Sequence, residues 1–304
     1  MFKMNLTLVL LLMLITFVSG SFILDSKSYY PNISESNNAI IENSYTDHMG
    51  EDNSKSYAQN ERKNVASNNI SYDPNIKLVN DNRGIPVLYY HSVNNEVQNE
   101  VTITPETLKK ELKYIKDKGY TTLSINEVNE YLLNNKPIPE KSILITFDDG
   151  YMDNYYYAFP ILKELNMKAT IFCITSELDG SYYLSEDAIK EMSQNNIDIE
   201  SHTVNHKHLD KLNYKEQLEE VIKSKSKLEN ITGKKVDAIA FPFGDYNNDS
   251  ISAAKKAGYT IAFTTNNGFA TRDDNPLELH RIYVSSLYDF NTFTSLLEKP
   301  NNSK

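Results

Sequence analysis

Cysteine is almost missing from this chain of 304 residues: there is one, Cys173, so an internal disulfide is excluded and no redox compartment can be read. It lies in the apolar run Ala169-Thr-Ile-Phe-Cys-Ile174, where a lone Cys is expected as a small core residue. Positive charge is short as well. Lys and Arg number 31 against 41 Asp and Glu, a formal charge of −10. That argues against nucleic acid or anionic lipid as the main partner, because phosphate binding draws on clustered basic side chains. An apolar run of full membrane length is also lacking, since the N-terminal one covers about Leu6 to Val18 and a spanning helix needs ~20 residues. With Lys3 before it and Ser19, Gly20 and Ser21 after it, the run has the order of a secretory signal. Read on through Leu24, it becomes long enough for an uncleaved anchor, and no Cys stands near it to carry a lipid. Export is therefore expected, with the protein secreted or tethered at the cell surface.

Three segments follow from composition. Residues 1–20 read as the signal peptide or membrane anchor, and 21–83, rich in Asn and Ser, as a flexible linker. Residues 84–304 carry regular hydrophobic periodicity and are long enough for one domain with a substantial core. Strand-like runs are expected at Ile85 to Tyr90, Thr121 to Ile125, Ser142 to Phe147, Ala169 to Ile174, Ile197 to Glu200, Val236 to Phe241, Tyr259 to Thr264 and Arg281 to Val284. Helical segments fall between them, among them Pro105 to Lys118, Tyr155 to Leu165 and Tyr214 to Asn230. This alternation predicts an α/β fold with a parallel sheet, and the number of units favours a barrel of about seven strands. The polar residues support the barrel. His91, the pair Asp148 and Asp149, His202, Pro242 to Asp245, and His280 are each expected just beyond a strand, where a parallel barrel gathers its chemistry.

Two of these groups stand out. Thr146-Phe-Asp-Asp-Gly-Tyr151 ends an apolar strand with two carboxylates, a costly place for charge. Asp-Asp-Gly alone is ordinary turn chemistry. As a site, one carboxylate could bind a metal while its neighbour faces the substrate. Ser201-His-Thr-Val-Asn-His206 sets two imidazoles at i and i+4, on one face if the segment turns helical. Two His and a carboxylate would make a metal site with open positions. Alone the spacing also fits surface histidines, and His208 competes as a ligand.

Both segments resemble the first two motifs of the polysaccharide deacetylase family, the NodB-like carbohydrate esterases of family 4, and the likeness extends over about Ile85 to Leu297. It implies a distorted or incomplete (β/α) barrel, the NodB homology domain. It further implies that Asp148 is the catalytic base and that Asp149, His202 and His206 hold a divalent metal, usually zinc, with cobalt, nickel or manganese as alternatives. Phe241-Pro-Phe-Gly-Asp-Tyr-Asn247 is similar to the third motif, which implies an oxyanion donor at the Phe243 backbone, flanked by Pro242 and Gly244. The arginine that many members carry just before that proline is replaced by Ala240, so support for the catalytic aspartate is missing or comes from elsewhere. The fourth motif has no counterpart because the chain has no Trp, and the groove wall must be built differently, around Thr264 to Gly268 for instance. Leu279-His280-Arg281 is the candidate for the fifth motif, with His280 as general acid.

Tyr89-Tyr-His91-Ser92, together with the missing Arg and Trp, resembles the branch that deacetylates poly-β-1,6-N-acetylglucosamine. His91 would then line the site, and Tyr151 is the tyrosine nearest the chemistry. The expected protein is a monomeric N-deacetylase of an extracellular amino-sugar polymer. Peptidoglycan and chitin oligomers are alternative substrates, and a non-catalytic glycan-binding relative is the alternative of another class.

Overall fold

The computed structural model describes residues 70–97 and 99–298. The expected signal or anchor, and the linker up to residue 69, lie outside the described residues. Seven strands form the centre: β1 (Ile85–Tyr90), β2 (Ser142–Phe147), β3 (Ala169–Cys173), β4 (Ile197–Ser201), β5 (Ala238–Ala240), β6 (Ile261–Asn267) and β7 (Leu279–Tyr283). Each pairs in parallel with the next in chain order, and β7 pairs with β1. The barrel is closed, not incomplete. It is distorted where β4 and β5 share a single register pair and where the β6–β7 register shifts between Phe263 and Asn267.

The strands read as continuous apolar runs because both faces are buried. Residues alternate between two cores. Val87, Leu144, Phe172, Ala240 and Phe263 fill the barrel, while Leu88, Ile145, Ile171, Ile199 and Ile239 pack outward. The outer layer is built by α1 (Pro105–Asp117), α2 (Ile125–Asn134), α3 (Phe159–Leu165), α4 (Glu186–Ser193), α5 (Tyr214–Thr232), α6 (Asn248–Ala257) and α7 (Phe290–Leu296). Ser124 and Glu127 form a capping box at α2, so the strand expected to reach Ile125 stops at Thr122. The helix expected from Tyr155 opens as a π-turn over Asn154–Ala158, a feature often found beside functional sites.

The spacer expected to run to residue 83 ends earlier. Leu78–Val79 pair antiparallel with Ile138–Pro139, and Arg272 donates to the Asn80 carbonyl at 3.0 Å. Ile125 N–H donates to Asp198 Oδ2 at 2.7 Å near the start of β4, and Val128 and Tyr131 of α2 join the interior core. The N-terminal end of the barrel is thereby closed, and chemistry is left to the opposite mouth.

Glu111 of α1 is buried and accepts a hydrogen bond from the Tyr90 hydroxyl at 3.1 Å. Burial pushes its carboxyl up to about 7, against the opposing pull of the Tyr90 bond and Lys110. A folded-state value above the unfolded 4.5 means that its contribution is fully present below that value and lost as pH rises through about 7. Glu111→Gln should therefore gain stability relative to the parent between pH 5 and 8, read as a widening Tm difference. A Tm difference that stays flat across this window would refute it.

Candidate active site

At the open mouth, His91 follows β1, Asp148 and Asp149 follow β2, His202 follows β4, and the Pro242–Gly244 turn follows β5 by one residue. Asp148 is fully held. Arg281, a completely buried side chain of β7, grips it with two parallel bonds of 2.7 Å, Nη1 to Oδ1 and Nη2 to Oδ2. The guanidinium is itself fixed, because Nε donates to the Thr264 carbonyl at 2.9 Å and the group lies 4.2 Å over the Tyr89 ring. Burial alone would raise the Asp148 carboxyl, but the charge and bonds of Arg281 hold it below its ordinary value. Asp148 is thus held as an ionised, oriented carboxylate. The arginine absent at position 240 is supplied from the other end of the domain sequence.

Asp149 points elsewhere. Its Oδ1 is buried without a hydrogen-bond partner and lies 3.4 Å from His202 Nε2 and 3.3 Å from His206 Nε2. Ligands of a tetrahedral ion at ~2.1 Å stand ~3.4 Å apart, so these atoms fit a divalent metal with an open position. Asp149, His202 and His206 bring one ligand atom each to within 4.8 Å of one another. His202 Nδ1–H donates to the Ala240 carbonyl at 2.7 Å, which turns the Nε2 lone pair toward Asp149. Burial opposes charge on His202, but Asp149 and Asp148 outweigh it and raise its pKa. At His206, burial and the neighbouring His202 bring the value down to about 4, leaving a neutral imidazole.

The helical turn expected to align these histidines does not form. His202 continues the line of β4, and the chain then reverses through Thr203 at φ 68° and His206 at φ 52°. Asp149 (φ 71°) and Phe243 (φ 60°) are also left-handed, whereas the other three non-glycine positions of this kind among the described residues are all Asn. Four side chains that pay for this conformation gather at one mouth, and such strain persists only where surroundings enforce it. His208 is excluded as a ligand. It pairs with Asp245 at 2.6 Å and stacks on Phe243, with ring centroids 4.0 Å apart.

In the Pro242–Gly244 turn the Gly244 and Asp245 N–H groups donate to the Phe241 and Pro242 carbonyls, and neither bond uses the Phe243 N–H. Gly244 sits at φ +75°, and a Cβ there would lie 1.9 Å from Thr265 Oγ1, so only glycine lets β6 press so close. The Phe243 ring also leans on His206, tilted by 52° with ring centroids 4.4 Å apart.

His280 is corrected. It lies inside β7, one residue from its start, and alternation turns it to the opposite face from Arg281. There it stands 3.6 Å from Asp274 and against Gly268, away from the aspartate pair. His91 stands at the mouth, electrostatically coupled to both aspartates. Burial lowers its pKa, Asp148 and Asp149 pull it back up, and its Nδ1 is buried without a partner. Its carbonyl accepts from Asn154 Nδ2 at 2.8 Å, and Asp153 binds Ser92 Oγ at 2.6 Å, so the π-turn clamps the loop that carries it. Tyr151 stacks on Tyr183 with 5.3 Å between centroids. Burial and the adjoining Asp149 carboxylate push its hydroxyl pKa up.

The polysaccharide deacetylase family model matches residues 135–262, which contain Asp148, Asp149, His202, His206 and Phe243. A Bacillus subtilis (strain 168) protein provisionally named a polysaccharide deacetylase is 38% identical over 214 residues, 70% of this chain and 76% of its own. The poly-β-1,6-N-acetyl-D-glucosamine N-deacetylase of Staphylococcus epidermidis is 30% identical over 63% of this chain and 70% of its own. Among solved structures, the Streptococcus pyogenes deacetylase PplD in complex with acetate superposes with a TM-score of 0.68 at 32% identity, over 72% of this chain and 100% of its own.

Proposed function

We infer that this chain, which belongs to the polysaccharide deacetylase family, is a metal-dependent N-deacetylase of an extracellular β-linked N-acetylglucosamine polymer, poly-β-1,6-N-acetylglucosamine in the first place. One observation carries the reaction class: the Asp149, His202 and His206 cluster stands beside an Asp148 carboxylate clamped by Arg281. The polymer is favoured by the staphylococcal relatives of that name and by the Tyr-His end of β1. The N-terminal signal or anchor pattern favours a secreted or surface-held enzyme.

When bound, a divalent ion, zinc first and cobalt, nickel or manganese as alternatives, supplies Lewis-acid polarisation of the acetyl carbonyl and acidifies water. Asp148 takes a proton from the attacking water, and Arg281 keeps that carboxylate ionised and aimed. The Phe243 N–H, free of the turn's own bonds, is placed to donate to the developing oxyanion. His91 is placed to return a proton to the departing nitrogen as the carbon–nitrogen bond breaks, giving acetate and a free amine. In this reading it replaces His280 as the acid.

The test is acetate and amine release from β-1,6-linked N-acetylglucosamine oligomers by the full chain, after chelation and again after adding zinc or cobalt. Matching acetate and amine, lost on chelation and restored by metal, is the expected result. Release only from peptidoglycan or chitin fragments would replace the polymer and keep the chemistry. No release from any acetylated glycan by the metal-loaded protein would replace the enzyme with a glycan-binding relative.

A further inference from the structure

Two ladders of tyrosine rings leave the aspartate pair in different directions. One starts at Tyr151 beside Asp149, stacks on Tyr183 at 16° between planes, and reaches Tyr182, whose centroid is 5.3 Å from Tyr151 and 5.0 Å from Tyr183. The other starts at Tyr89, under the guanidinium that holds Asp148, passes to Tyr283 at 5.3 Å, and ends at Tyr288, 6.4 Å further. In the barrel the first belongs to the loops after β2 and β3, the second to β1, the last residue of β7 and the loop after it. They therefore flank the end of β2, and the catalytic cluster lies between them.

The outer rungs are not core residues. Tyr182 is 65% exposed, Tyr288 37%, and Leu287 beside it 77%. Their backbones are nevertheless fixed. Asp179 Oδ1 accepts from the N–H groups of Ser181, Tyr182 and Tyr183 at 2.8, 3.2 and 3.1 Å, and the Tyr182 carbonyl accepts from Met152 N–H at 2.8 Å. On the other side, Ser286 N–H donates to the Glu100 carbonyl at 2.9 Å, and Tyr288 N–H to Ser285 at 3.1 Å. Large apolar faces held rigidly in water on both sides of a reaction centre suit flat, weakly polar faces of sugar rings, which aromatic rings cover at low entropic cost.

We propose that Tyr182 and Tyr288, with Leu287, are the outer subsites of a groove that binds a linear amino-sugar chain across the mouth, so that the enzyme acts on internal residues of a polymer. This rests on the deacetylase reading and deepens it. Tyr182→Ala and Tyr288→Ala should each raise KM for a hexasaccharide roughly 5- to 10-fold with kcat within about twofold. The penalty should vanish on a disaccharide, which is too short to reach either ring. Tyr182→Phe, which keeps the ring, should restore the parental KM. Equal KM for parent and both alanine variants on the hexasaccharide would overturn the proposal, as would equal losses on short and long substrates. Calorimetric titration of the same hexasaccharide separates the two readings. Binding weakened by Tyr182→Ala in a parent protein that releases no acetate would keep the groove and discard the deacetylase. No binding and no release would discard both.

Discussion

Asp148→Asn should lower kcat for acetate release by about 10³- to 10⁴-fold, while stoichiometric zinc binding survives. The size follows from the role, since a positioned general base contributes up to ~10⁴-fold, equivalent to about 5 kcal/mol of barrier. Asn keeps the shape and one acceptor oxygen but cannot take a proton. The metal cluster is spared because its carboxylate is Asp149, whose Oδ1 faces His202 and His206, whereas both oxygens of Asp148 are turned to Arg281. The readouts are steady-state acetate release beside zinc content after dialysis, on protein whose Tm stays above the assay temperature. The thermal control is needed because the substitution leaves Arg281 buried with no counter-charge. Retention of more than a tenth of the parental kcat would move the base elsewhere. Loss of zinc together with activity would merge two roles that the geometry separates.

The parts of this site legible in the sequence are those in which one strand delivers the residue. An apolar run of known length ends in Asp148 and Asp149, another in His202, and counting along the strand places them at the mouth. His206 was recognised too, although through a spacing that suggested a helix. The observed reversal depends on left-handed Thr203 and His206, and neither residue type advertises that conformation. Arg281 was missed as a partner because its usefulness depends on register between distant strands. Leu279-His-Arg-Ile-Tyr283 shows a charge inside an apolar strand, which already demands a counter-charge, but only closure of β7 onto β1 and β2 identifies it as Asp148. The same closure decides between two histidines. The sequence reading sets His280 at the mouth, although it stands ahead of the expected run Arg281 to Val284. With the strand beginning at Leu279, the alternation puts Arg281 inside and His280 outside.

That register gives the second large effect. Arg281→Met, close in volume but without charge, should cut kcat by at least 10²-fold and lower Tm markedly, because removing one partner of a buried ion pair costs about 3–5 kcal/mol. The pH profile should move as well. In the parent, the Asp148 carboxyl is held below 3.8 by Arg281 against the effect of burial, so its stabilising contribution is present above 3.8 and is lost only as pH falls through the lower folded value. Without the guanidinium, burial prevails and the folded value rises. The base is then protonated at higher pH, and the acid limb of kcat/KM shifts upward. A merely structural arginine would lower Tm without moving that limb. Combining Arg281→Met with Asp148→Asn should recover much of the lost Tm, since no unpaired charge remains in the barrel, yet recover no activity. Two losses of Tm that simply add would mean that these side chains do not act as a pair, and the account of how Asp148 is kept ionised and aimed would fall with it.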